Sequence, residues 1–115
     1  MESILTSIKK LLGITEECKH FDLDIIIHIN TVFMELNQLG VGPNEGFPIS
    51  DSTTIWNDYL TDNSIEAVKS FMYLKVKMLF DPNNLSSAVI DSINRSINEL
   101  TWRITHQAEM TRPSE

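Results

Sequence analysis

The chain has 115 residues, a formal charge of −7, a single cysteine and 42% hydrophobic residues. That is the length of one domain, and such a chain removes roughly two-thirds of its unfolded surface from water without staples. Cys18 has no internal disulfide partner, no Cys/His spacing resembles a zinc site, and no apolar run approaches the ~18 residues of a membrane span.

Ile4, Leu5, Ile8, Leu11 and Leu12 form one face of a short first helix. Ser3 is its expected N-cap, and Gly13 suits the left-handed position that ends it. Lys9 and Lys10 sit in its last turn, where they favour the helix dipole by about a few tenths of a kcal/mol. The segment from Met1 to Gly13 lacks the long apolar block of a signal peptide, so a soluble cytoplasmic chain is the default expectation.

A long second helix is expected from Asp22, read as its cap, to Leu39 and Gly40. Ile25, Ile26, Ile29, Val32, Phe33, Leu36 and Leu39 cover one broad face, and Leu23, Ile27 and Met34 form a thinner ridge opposite. Two readings of that ridge stand side by side: a second core layer of the same monomer, or a subunit contact. His28, at the edge of the broad face with no carboxylate or histidine one turn ahead, reads as a packed side chain rather than a ligand.

All but one of the glycines and two of the four prolines fall between Gly40 and Ser50. Without a following Lys-Ser/Thr these glycines make no phosphate cradle, so the segment reads as a connection or a subunit-facing loop. Asp51 or Ser52 is expected to cap a short helix carrying Ile55, Trp56, Tyr59 and Leu60. Trp56 and Tyr59 read as core residues, because no basic residues interleave with them.

The central helix is expected to start at a capping box between Asn63 and Glu66. Ile65, Val68, Met72, Val76 and Leu79 share one face, and Ala67, Phe71, Leu74 and Met78 an adjoining one. A helix apolar around more than half its girth is buried by neighbours on several sides. Lys75 falls inside that apolar sector. It either snorkels, with its stem on apolar surface and its head in water, or pairs with a carboxylate of a neighbouring subunit.

The break Asp81-Pro82-Asn83-Asn84 removes a backbone donor and ends that helix. In the last helix Ile90, Ile93, Ile97, Leu100 and Ile104 make one narrow seam, and Trp102 lies roughly 160° around the helix from it. Apolar groups on opposite sides of one helix need two partners. From Gln107 the chain is polar; residues 1–110 read as a single helical domain and 111–115 as a tail that frays.

Charge is uneven. Up to Asp62 ten acids face three lysines, and from Asn63 onward six acids balance six bases. Without clustered Lys/Arg there is no phosphate-gripping surface, although an acidic surface suits DNA that must slide past without sticking. The three histidines are scattered, no strand-turn-helix elbow surrounds a serine, and Asp22 and Asp24 point apart on a helix. No catalytic, cofactor or metal site is expected. The residues themselves imply an all-α bundle of about four to five helices, with more apolar faces than one monomer can hide.

The runs IKKLLGI from Ile8, DIIIHINTVFMELNQLGVGP from Asp24, LKVKMLFDP from Leu74 and SSAVIDSINRSINELTWRI from Ser86 together resemble the head-tail connector, or head-completion adaptor, proteins of long-tailed double-stranded DNA phages and prophages. The resemblance spans nearly the whole chain and departs at Asn83, where a second proline would be expected. It implies a non-enzymatic virion protein at the head-tail interface, assembled in the host cytoplasm. Such a protein forms a ring of about twelve subunits beneath the portal, above a stopper or tail-completion protein, with DNA passing non-specifically through the lumen. Under that reading Trp102, Arg103 and Arg95 are candidate subunit or portal contacts, Lys75 is a possible interchain partner, and the loop residues Gly42, Pro43, Asn44, Glu45 and Gly46 are a candidate lumen-facing or neighbour-facing segment. The competing reading is a small acidic regulatory module, antitoxin-like or anti-repressor-like, that sequesters a basic partner.

Overall fold

The structure, a computed structural model, describes residues 3–43, 46–59, 65–80, 83 and 85–111, with side chains as far as His106. Its elements in order are α1 (Ile4–Leu11), α2 (Asp22–Gln38), α3 (Trp56–Tyr59), α4 (Ile65–Phe80) and α5 (Ser87–Thr111). The chain is all-α, as its periodicities require. Among the described residues the only extended pairing is an isolated bridge between Ser3 and Ile55.

α1 starts as expected, with Ser3 Oγ accepting from the Thr6 amide at 3.2 Å, and the chain leaves it through Gly13 at φ 82°. Ile4, Leu5 and Ile8 are buried, whereas Leu11 is exposed. The expected cap of α2 is corrected: Phe21 occupies the N-cap position without a side-chain bond, and Asp22 lies one residue inside. There its carboxylate meets Lys9, Nζ to Oδ1 at 2.8 Å.

Lys9 stands in the last turn of α1 as expected, but the dipole is not its main partner. Its side chain is buried, and besides the ion pair it donates to the carbonyls of Glu16 at 3.1 Å and Cys18 at 2.6 Å. A buried ammonium persists only when its donors are satisfied, and here three oxygens from the α1–α2 connection and the start of α2 do so.

α4 is the central helix. It packs against both α2 and α5, which make no extensive contact with each other, and α1 packs on α2. Val68, Phe71, Met72 and Val76 of α4 are buried between Ile25, Ile29, Val32 and Leu36 of α2 and the Ile93, Ile97 and Ile104 seam of α5. Phe21 and Phe80 meet edge to face with centroids 5.3 Å apart. The capping box at Asn63, and Asp81, Pro82 and Asn84 of the expected break, lie outside the described residues.

The long connection between α2 and α3 is tied down at several points. Asn30 Nδ2 donates to the Ile49 carbonyl at 3.0 Å and its Oδ1 accepts the Ile49 amide at 2.8 Å, a paired bond that holds this loop like a strand neighbour. Phe33, Phe47 and Tyr59 form an aromatic trio with centroids 4.6 to 5.4 Å apart. Trp56 is buried, and its indole N–H donates to Ser7 Oγ at 2.7 Å. Asp51 does not cap α3 as expected. Its carboxylate accepts from the Thr53 amide and hydroxyl, while Asp58 accepts the Ile55 amide at 3.1 Å.

Candidate subunit interface

At about 100° per residue α2 cannot turn all its apolar side chains toward α4. Ile25, Ile29, Val32, Phe33 and Leu36 take the inner arc and are buried. Leu23, Ile27 and Met34 are left on the outer arc, 70%, 53% and 67% exposed. The alternative of a second core layer within the monomer is thereby removed. Isolated exposed leucines are ordinary, but an aligned ridge along one helix is the pattern of a contact surface.

At Met34 the ridge runs into a groove of about 310 Å³, lined by Asn30, Phe33, Met34, Asn37, Gln38, Gly46, Phe47 and Pro48. Its far wall is the 46–48 segment, held by the Asn30–Ile49 pair and the aromatic trio. The groove was not legible in the sequence, because Phe47 and Pro48 come beside Met34 only through those long-range bonds.

On α5 the seam faces inward, with Ile93, Ile97 and Ile104 buried. Trp102 points away from it and is 66% exposed. His106, one turn on, stacks on the indole with centroids 5.1 Å apart and planes 5° from parallel. Arg95 lies about 20° from Trp102 around the helix; it is exposed. Arg103, on an adjoining strip, is engaged by Glu99 at 2.7 Å. The structure thus places Trp102 and Arg95 on one outer strip and Arg103 beside it.

Lys75 lies elsewhere. Its ammonium is 3.0 Å from Glu35 of α2 and 5.6 Å from the centroid of Phe71. Its partner in this structure is a carboxylate of its own chain, and its side chain stays partly exposed.

Of the loop candidates, Gly42 adopts φ +83° over the ring of Tyr59, so close that an added Cβ would sit 2.5 Å from Tyr59 Cε1. Pro43 is half-buried beside it and Gly46 borders the groove; Asn44 and Glu45 lie outside the described residues.

Among the described residues no cluster of three or more His, Cys, Asp or Glu could hold a metal ion, and no helix is long and apolar enough to cross a membrane. The Asp51 carboxyl is held below its usual range, chiefly by the Thr53 hydroxyl and then by the Thr53 amide. Among the described residues Leu11, Leu79 and Val89 are exposed singly, whereas the α2 ridge and the α5 strip with Trp102 put the most exposed apolar side chains on two different helices. The outer strips of α2 and α5 each turn away from the contact with α4, so they lie on separate flanks of the bundle.

A family model described as phage connector protein matches residues 4–111. The chain belongs to the phage connector protein family. Comparison with curated proteins and with solved structures finds no match. The match covers α1 through α5, so the fold, both apolar patches and the groove all fall inside the connector region. Membership assigns the chain a structural head-tail connector role and makes other phage head and tail proteins its partners.

Proposed function

We propose that this connector assembles as a ring, of about twelve subunits on the virion, beneath the portal at the head-tail interface. There it extends the DNA exit channel toward a stopper or tail-completion protein. The observation that carries the reading is the separation of two exposed apolar surfaces, the Leu23, Ile27 and Met34 ridge on α2 and Trp102 on α5. A single self-paired patch makes a dimer, whereas two different patches on one protomer permit head-to-tail contacts that close into a ring.

The acidic N-terminal half adds a physical reason for a channel role. Lumen walls without clustered cations let DNA pass without holding it. The role is structural throughout, with no catalytic step. Gly46 borders the groove, which favours a neighbour-facing position for the 42–46 loop over a lumen-facing one. Trp102 and Arg95, with Arg103 alongside, are the subunit or portal contacts; Lys75, already engaged by Glu35, serves the protomer itself. Assembly takes place in the host cytoplasm, and the finished ring stays in the virion.

Native mass measurement at rising concentration, with and without a portal protein, tests this reading. The expected result is a species of about a dozen chains, formed alone or on the portal. A monomer or dimer that ignores the portal and instead captures a basic protein would replace the ring with the sequestering role.

A further inference from the structure

We infer that the groove beside Met34 receives Trp102 of a second copy of this chain, with α5 of one protomer lying parallel to α2 of the next. This rests on the ring reading above and names the surfaces that would build it.

Three observations converge. The ridge and the Trp102 strip sit on separate flanks, so each protomer offers one donor surface and one acceptor surface. The groove, at about 310 Å³, is at the small end of volumes that hold a compact ligand; an exposed indole is a ligand of that size, and aromatic anchors in pockets dominate interface energetics. The charges then fix a direction. Arg95 precedes Trp102 by about 10 Å along α5, and Asp24 precedes Met34 by about 15 Å along α2, at about 1.5 Å per residue.

Parallel docking with Trp102 at Met34 therefore brings Arg95 within about 5 Å of the level of Asp24, a gap that a long guanidinium side chain spans. Both groups are exposed, and neither has an ion pair among the described residues. Antiparallel docking carries Arg95 past the C-terminal end of α2, away from Asp24. The same parallel register sets His106 opposite Gln38, an exposed residue of the groove.

That last pair supplies the test. In a Cys18→Ser background, a chain carrying both Gln38→Cys and His106→Cys is oxidised under the conditions in which the wild-type chain assembles, alone or on the portal protein. It is then run on a non-reducing gel. Each chain contributes one cysteine of each kind, so head-to-tail contact yields a ladder of dimers, trimers and higher species. Either single-cysteine chain gives no ladder, and a mixture of the two gives the mixed dimer in excess of both homodimers.

Adding Trp102→Ala is expected to abolish the ladder. Arg95→Asp is expected to weaken it several-fold, and Asp24→Arg combined with Arg95→Asp to restore it. Unchanged helicity of the reduced variants shows that they fold.

Predominant homodimers, no species above the dimer, or a ladder indifferent to Trp102→Ala would overturn the docking. If the wild-type chain still reaches ring mass under those conditions, the ring stands and only these surfaces are wrong. Failure of the wild-type chain to assemble, alone or on the portal, overturns both.

Discussion

Lys9 Nζ lies 2.8 Å from Asp22 Oδ1 and joins the end of α1 to the beginning of α2. The lysine is 2% exposed, and the same ammonium also holds the Glu16 and Cys18 carbonyls. One side chain thus ties down the whole connection between the first two helices.

Removing it leaves a mostly buried carboxylate and two carbonyls without their donor. Breaking a buried pair from one side costs about 3 to 5 kcal/mol. Because Asp22 retains some contact with water, its side chain being 21% exposed, Lys9→Ala is expected to lower unfolding free energy by about 3 kcal/mol. Urea denaturation followed by circular dichroism measures it; a loss under about 0.5 kcal/mol would place Lys9 among ordinary surface cations.

Gly42 combines a left-handed backbone with the Tyr59 ring standing where a Cβ would go. Gly42→Ala meets both obstacles, and strain at such a position costs about 1 to 3 kcal/mol. Gly13, also at positive φ but with open space around it, should cost less when changed to alanine. The thermal midpoints of the two variants, compared side by side, separate the ring contact from the backbone term.

The Lys75–Glu35 pair is partly exposed on both sides. Its coupling in a double-mutant cycle with alanines should therefore be about 0.5 to 1 kcal/mol and should shrink in high salt. A coupling of several kcal/mol, insensitive to salt, would mean that the pair is more enclosed than its exposure indicates.

Trp102 adds almost nothing to the protomer's own core. Trp102→Ala should leave the unfolding free energy of the unassembled chain within about 0.5 kcal/mol of wild type, while assembly is lost. Trp56→Ala is the opposite case: it empties a buried site and removes the partner of Ser7, with an expected cost of about 3 to 5 kcal/mol. Chemical denaturation of dilute samples beside sedimentation of concentrated ones distinguishes the two tryptophans.

Asp51 is held below the usual carboxyl range by the Thr53 hydroxyl and amide. A depressed folded-state value means that this turn's contribution is present above the unfolded carboxyl value and is lost as pH falls through the folded one. Thr53→Ala removes the hydroxyl and should move Asp51 back up toward its ordinary value. A carbon-detected NMR titration reads the shift; an unmoved Asp51 would refute the hydroxyl as the main cause.

The sequence was most legible where a local rule had no competitor. Ser3 caps α1 because a hydroxyl just ahead of an apolar face, three residues before the Thr6 amide, has few other bonds to make. The α5 seam is buried where its three-and-four spacing put it, and the apolar girth of α4 marked it as the helix with two neighbours. Local rules failed where a distant group outcompeted them. Asp22 would cap α2 in isolation, but Lys9 takes its carboxylate; Asp51 or Ser52 would cap a helix starting just after them, but α3 begins only at Trp56.

The α2 ridge marks the boundary between the two kinds of knowledge. Periodicity alone showed that Leu23, Ile27 and Met34 share a face, because side-chain direction follows from helix geometry. It did not show whether that face meets protein or water, since this depends on which helices stand next to α2 and where the loop returns. Composition and spacing by themselves determined the helices, their apolar faces and the surplus of nonpolar side chains. Only tertiary packing decided which surplus stays outside: α4 has room for one inner arc of α2 and one seam of α5, and whatever lies roughly half a turn away on either helix must face outward.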